Sequence, residues 1–148
     1  MPAEGNDVEP EIRGMAPADY DRVFALWKRT EGMGLSQADS RENIERFLLR
    51  NPGLSFVAHL NGTIVGAVMS GHDGRRGFLY HLAVAPEHRL KGTGRLLVEA
   101  CLKELAAQGM HKCHLFVYAN NESGKKFWRR TGWTERTDIT AMSRDLVK

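Results

Sequence analysis

The stretch Phe78-Leu79-Tyr80-His81-Leu82-Ala83-Val84 continues through Ala85 to His88 into Arg89-Leu90-Lys91-Gly92-Thr93-Gly94, and the helix-patterned run Arg95 to Gln108 follows directly. An apolar strand, a glycine loop and a helix in that order describe a phosphate cradle. Amides of the first helical turn have no partner inside the helix and carry the positive end of its dipole. Gly92 and Gly94 let an anion approach the main chain, while Arg89, Lys91 and Arg95 surround it with positive charge. A bare tight turn would not explain three basic side chains at a helix N-terminus, where the dipole disfavours cations unless an anion is present.

On the C-terminal side, the helix after the loop packs through Leu97, Val98, Cys101, Leu102 and Leu105 and stops at Gly109. Lys112 to Tyr118 is the return strand, parallel to Phe78–Val84 through a right-handed crossover. A last helix covers Glu122 to Thr131, and Trp133 to Leu146 reads as a closing hairpin. On the N-terminal side, the β-rich runs Leu54–Leu60 and Thr63–Ser70 flank Asn61-Gly62, the strongest short hairpin signal. The turn Gly71–Gly77 then leads into Phe78–Val84 and completes an antiparallel meander. Before it come a short strand, Ile12–Met15, and two helices. Pro17 opens the first, whose apolar face is Tyr20, Val23, Phe24 and Trp27, and Gly32-Met33-Gly34 ends it. Asp39, with Glu42 three positions on, caps the second, whose stripe is Ile44, Phe47 and Leu48. The expected architecture is α+β, layered, with a single mixed antiparallel and parallel sheet flanked by helices. It forms one domain over residues 10–148 after a disordered start over residues 1–9.

The chain has 148 residues, 42% hydrophobic and 26% charged, which suits one core. No run is long enough to cross a bilayer, and the acidic, polar start is unlike a signal peptide, so a cytoplasmic protein is expected. Cys101 and Cys113 lack CxxC spacing, and His72, His88, His111 and His114 lack metal spacing, which argues against a disulfide framework or a zinc site. A net charge of +3 favours anionic ligands mildly and does not require nucleic acid. Two nucleotide folds fit poorly. Leu97 stands where a dinucleotide fingerprint has its third glycine, and a Walker loop would need Gly-Lys-Ser/Thr.

Leu82-Ala83-Val84-Ala85-Pro86-Glu87-His88-Arg89-Leu90-Lys91-Gly92-Thr93-Gly94 resembles the acetyl-coenzyme A signature of the GNAT N-acetyltransferases, Arg/Gln-x-x-Gly-x-Gly/Ala. Asn121 with Gly124 three positions on, then Phe127-Trp128 and Gly132-Trp133, is similar to the family's later Asn-x-x-Ala…Tyr…Gly-Phe segment. The likeness runs from Glu11 to Leu146, and Gly71-x-Asp73-Gly74-x-Arg76-Gly77 resembles a branch of small bacterial stand-alone members. This resemblance implies a GNAT fold, acetyl-coenzyme A as cosubstrate, an amine acceptor and no metal. It further implies that main-chain groups along Leu82, Ala83 and Val84 pair with the pantetheine arm as an added strand. Amides of Arg89, Leu90, Lys91, Gly92, Thr93, Gly94 and Arg95 would hold the pyrophosphate, and the Asn121 side chain would bond the pantetheine amide. Many relatives pair as dimers, so a homodimer is within expectation.

In the reaction that the resemblance implies, an amine attacks the acetyl thioester directly, so two substrates must be positioned, an oxyanion stabilised and a proton removed. Trp128 stands where the family often has the tyrosine that protonates the departing thiolate, and an indole N–H cannot serve as an acid near neutral pH. Alternation places Phe78, Tyr80, Leu82 and Val84 on one face and Leu79, His81 and Ala83 on the other. Related enzymes carry Glu or His at positions matching Phe78 and Tyr80, which leaves Tyr80 as the catalytic candidate on the acceptor face and sets His81 aside by its parity. Trp27, Glu31 and Asp39 could form an aromatic and acidic mouth for a cationic amine. The plainer reading gives Trp27 to the apolar stripe and Asp39 to a cap. Two alternatives stand beside the enzyme: a non-catalytic acyl-coenzyme A-binding module, and a nucleic-acid-binding domain using the loop and Lys125 to Arg130. The acceptor itself is not legible.

Overall fold

Asn61 and Gly62 both adopt left-handed backbone, with φ of 50° and 81°, as a two-residue turn between twisted strands requires. They join β2 (Phe56–Leu60) to β3 (Thr63–His72), and a second turn leads into β4 (Gly77–Val84). Asp73 closes that turn by accepting the amides of Arg75 and Arg76 at 2.8 Å each. β1 (Glu11–Gly14) lies outside β2, and β5 (Cys113–Leu115) joins β4 in parallel. The sheet therefore has the order β1-β2-β3-β4-β5 and is mixed as expected. The computed structural model describes residues 8–147, so the expected disordered start falls chiefly outside the described residues.

α1 (Tyr20–Lys28) follows a 3-10 turn over Pro17–Asp19 and buries Val23, Leu26 and Trp27, a helical spacing. It stops at Lys28, ahead of the glycines expected to end it, where the Thr30 hydroxyl donates to the Leu26 carbonyl at 2.8 Å. α2 (Arg41–Arg50) buries Ile44 and half-buries Phe47 and Leu48. Its cap is Ser40, not Asp39. Ser40 has the extended backbone a cap needs, and its side chain accepts the Asn43 amide at 3.2 Å. Asp39 instead closes a 3-10 turn over Gln37–Asp39 by accepting the Ser36 amide at 3.0 Å.

Val23, Leu26, Trp27 and Ile44 pack on one face of the sheet with Ala67, Met69 and Ala83. α3 (Thr93–Ala107) covers the other face. A Cβ added at Gly66 or Gly77 would lie 3.0 Å from Leu97 and 2.9 Å from Leu105, so these strand glycines let α3 sit close.

β4 does not alternate throughout. Ala67 pairs with Ala83 but Met69 pairs with Tyr80, so His81 and Leu82 together oppose Val68 in a β-bulge. His81 sits there with φ of 55°. Tyr80 and Ala83 consequently share the α1/α2 face, while Val84 pairs with Gly66 on the α3 face. The expectation of strict alternation over Phe78–Val84 is corrected by this one extra residue. β5 is also shorter than expected and pairs only with Gly77–Leu79, ending just before the bulge bends β4.

Contacts divide the chain into one unit through Phe116 and a second from Val117. In the second, α4 (Glu122–Arg130) is followed by Trp133, whose ring stands edge-on to Trp128 at 5.4 Å. The closing hairpin expected over Trp133–Leu146 is absent, since residues 134–147 contain no strand. Ile139, Met142 and Leu146 are all exposed there, so the segment buries no face, and Arg136 pairs locally with Asp138 at 2.9 Å.

Candidate functional site

Between β4 and α3 the chain makes the loop the sequence singled out. Arg89 folds back: its Nε donates to the Val84 carbonyl at 2.8 Å and its guanidinium pairs with Glu31 at 3.0 Å. Leu90 and Gly92 take positive φ, 64° and 85°, and the Leu90 side chain is 98% exposed. From Leu90 through Arg95 no backbone amide donates to any acceptor among the described residues, and the first bond of α3 is Leu96 N–H to Gly92 at 3.0 Å. α3 has no side-chain cap and no acid in its first turn, whereas Ser40 and Asn121 cap α2 and α4. Thr93 is buried, Lys91 and Arg95 are exposed, and neither base has an acidic partner among the described residues. A Cβ at Gly92 would meet nothing within 4 Å. Unpaired amides, a helix dipole and free positive charge thus face open space, which is the chemistry of an anion site.

Beside the loop, β4 has an open edge. β5 accompanies it only as far as Leu79, so among the described residues Tyr80 to Val84 have no strand neighbour on that side. This leaves main chain at Leu82 and Val84 available to an extended ligand, although Arg89 already occupies one lone pair of the Val84 carbonyl. Ala83 points its side chain into the core.

Tyr80 packs edge-on to Phe47 at 5.9 Å and stacks with Phe78 at 6.4 Å, and Phe78 stacks in turn with the exposed Phe116 at 6.5 Å. The Tyr80 hydroxyl has no hydrogen-bond partner among the described residues, and the residue is 36% exposed. Burial of its ring pushes its pKa up, so the phenol keeps its proton at neutral pH. The neighbouring His81 is placed by the bulge on the α1/α2 side. Its Nε2 lies 2.8 Å from Asp39 Oδ1, its ring meets Trp27 edge-on at 4.9 Å, and Trp27 Nε1 donates to its carbonyl at 3.1 Å. Strand parity argued against His81 as the base without excluding it, and no glycine marks the bulge that defeats the parity. The mouth of Trp27, Glu31 and Asp39 is not assembled: Trp27 and Asp39 are buried, and Glu31 pairs with Arg89.

In the second unit, Asn121 Oδ1 accepts the Gly124 amide at 3.0 Å, and a Cβ at Gly124 would stand 2.6 Å from Asn121 Nδ2. The Asn-x-x-Gly spacing therefore serves the cap, while Nδ2 donates to nothing among the described residues. The basic run is partly neutralised, with Arg129 bonding Glu135 at 2.8 Å and Lys125 lying 3.9 Å from Glu122 and from Glu135. Burial pushes the Cys113 thiol up to about 11 and the Cys101 thiol up to about 12, so neither is a ready nucleophile. Among the described residues no group of three or more His, Cys, Asp or Glu could hold a metal ion, and no helix is long and apolar enough to cross a membrane.

An open strand edge thus ends in an uncapped, glycine-rich helix start. The chain belongs to the acetyltransferase (GNAT) family, whose model matches residues 20–133. An acetyltransferase of Pectobacterium atrosepticum is 35% identical over 138 residues, covering 93% of this chain and 96% of that protein. One of Yersinia pestis is 38% identical over 137 residues with the same coverage, 93% and 96%. Among solved structures, the PaiA N-acetyltransferase of Thermoplasma acidophilum in complex with coenzyme A superposes with TM-score 0.74 at 21% identity, over 86% of this chain and 91% of that one. The aminoglycoside N-acetyltransferase AAC(6')-Iy in complex with coenzyme A gives 0.73 at 20% identity, over 93% and 95%.

Proposed function

We propose that this protein transfers the acetyl group of acetyl-coenzyme A to an amine. The observation that carries the reading is the run of unpaired amides from Leu90 through Arg95, at an uncapped helix start beside the open edge of β4. Those amides, with Lys91 and Arg95, hold the pyrophosphate. The main chain of Leu82 and Val84 guides the pantetheine arm toward the bulge. Support comes from the curated relatives named as acetyltransferases and from two structural neighbours solved with coenzyme A.

Bound acetyl-coenzyme A supplies an activated thioester, and the protein supplies orientation and proton management. The aromatic surface of Phe47, Phe78 and Tyr80 receives the body of the acceptor. Tyr80, protonated and without a partner, is suited to donating a hydrogen bond to developing negative charge. With an indole at Trp128, this phenol takes over part of what the family's tyrosine does.

Calorimetry with acetyl-coenzyme A, followed by thiol release with polyamines, amino acids, peptide N-termini, lysine and aminoglycosides, tests the reading. Binding together with amine-dependent thiol release is expected. Tight binding with no turnover for any amine would make the chain an acyl-coenzyme A-binding module instead.

A further inference from the structure

We infer that His81, oriented by Asp39, is the proton acceptor of the reaction, with imidazole Nδ1 as the receiving atom; this rests on the acetyl transfer to an amine proposed above. His81 is the one residue of β4 in left-handed backbone, at φ of 55°. Such strain in a strand persists where surrounding contacts over-determine it, and it clusters at functional sites. Trp27 Nε1 holds the His81 carbonyl at 3.1 Å, and Asp39 holds the ring at 2.8 Å. Asp39 is itself fixed, because its other oxygen accepts the Ser36 amide at 3.0 Å and its side chain is only 7% exposed.

A carboxylate only accepts, so Nε2 carries the hydrogen and Nδ1 presents a lone pair. Nδ1 has no partner among the described residues, and none of their buried side-chain nitrogens or oxygens is unsatisfied, so Nδ1 reaches solvent. The ionisable neighbours are few. Tyr20 donates its hydroxyl to the Asp39 carbonyl at 2.6 Å, Arg41 lies over the Tyr20 ring, and Tyr80 adjoins His81 on β4. His114 flanks Phe78 on the same surface, but no carboxylate among the described residues fixes its tautomer.

In the step itself the neutral amine nitrogen forms a bond to the thioester carbonyl carbon and the carbon–sulfur bond breaks. The surplus amine proton passes to Nδ1, and the imidazolium returns it to the thiolate or to solvent. Asp39 acts through His81 and is a positioning residue.

Variants His81→Asn, which tolerates left-handed backbone, and Asp39→Asn test this on the full chain. For any amine that turns over, His81→Asn should lower kcat about 100-fold or more, with acetyl-coenzyme A affinity within twofold, and remove the acid limb of the rate profile. Asp39→Asn should lower kcat about tenfold and mix the two tautomers of His81, because the ring loses the carboxylate that fixes its hydrogen on Nε2. Nitrogen NMR of the protein without ligand should show His81 as the Nε2–H tautomer. A wild-type rate and profile in His81→Asn, a limb removed by His114→Gln instead, or an Nδ1–H tautomer would overturn the inference and leave acetyl transfer standing. A wild type that releases no thiol with any amine overturns both.

Discussion

Arg89 Nε donates to the Val84 carbonyl at 2.8 Å, tying the first residue of the glycine loop to the last residue of β4. The same guanidinium reaches Glu31 at 3.0 Å, so one side chain sets the distance between the open strand edge and the unpaired amides. Replacing Arg89 with Met keeps the stem and removes both bonds. Because the side chain is partly exposed, the expected cost is about 1 kcal/mol, a roughly fivefold loss of acetyl-coenzyme A affinity by calorimetry. An unchanged affinity would mean that the loop holds its shape without this tie.

Gly92 has left-handed backbone and open space where a Cβ would stand. Gly92→Ala should therefore cost only backbone strain, about 1–2 kcal/mol, read as a lower Tm. Gly92→Val should also lose acetyl-coenzyme A affinity by about tenfold or more, since its methyls enter the space in front of the amides. Full affinity in a folded Val variant would sink the cradle.

Tyr80→Phe removes the unpartnered hydroxyl and keeps the ring contacts with Phe47 and Phe78. A hydrogen bond to developing charge is worth about 1.5–3 kcal/mol, so kcat should fall roughly 10- to 100-fold with KM for acetyl-coenzyme A unchanged. Burial raises the Tyr80 pKa, so the wild type should show no loss of rate from its ionisation below about pH 10. Normal turnover in the Phe variant would remove Tyr80 from the mechanism.

Asp19 accepts two bonds from Arg13, at 2.9 and 3.0 Å, one from Arg22 and one from the Ala16 amide, with its side chain 3% exposed. The Arg13 bonds, then the Ala16 amide, hold its carboxyl below the usual range. Its folded pKa is depressed, so the stabilisation is full above the unfolded value of about 3.9 and drains away as pH falls through the folded pKa. Asp19→Asn should lower stability by about 2 kcal/mol at pH 7 in urea unfolding and flatten the acid limb of the stability curve. Equal stabilities at pH 7 would refute the contribution.

Local chemistry was legible wherever it acts alone. Asn61-Gly62 turns the hairpin because both positions need left-handed backbone, and the Arg89–Gly94 loop announces itself by glycine and charge. What escaped depends on pairing between distant segments. Nothing near His81 in sequence says that β3 will pair with β4 one residue out of step, and that single slip reassigns every face after it. Asp39 looked like a cap because Glu42 stands three positions on; Ser40 caps the helix one position later, and Asp39 meets a histidine 42 residues away. The hairpin expected over Trp133–Leu146 is likewise a matter of pairing, since a strand forms only where a partner edge receives it, and residues 134–147 contain none.

The bulge in β4 also bears on how this protein can change. An extra residue in a strand cannot be undone by substitution; only a deletion restores regular alternation, and deleting His81 would leave Tyr80 and Ala83 two positions apart and still on the α1/α2 face. Substitution can therefore vary the side chain at position 81 while the extra residue, and the kink it makes in the strand, persist.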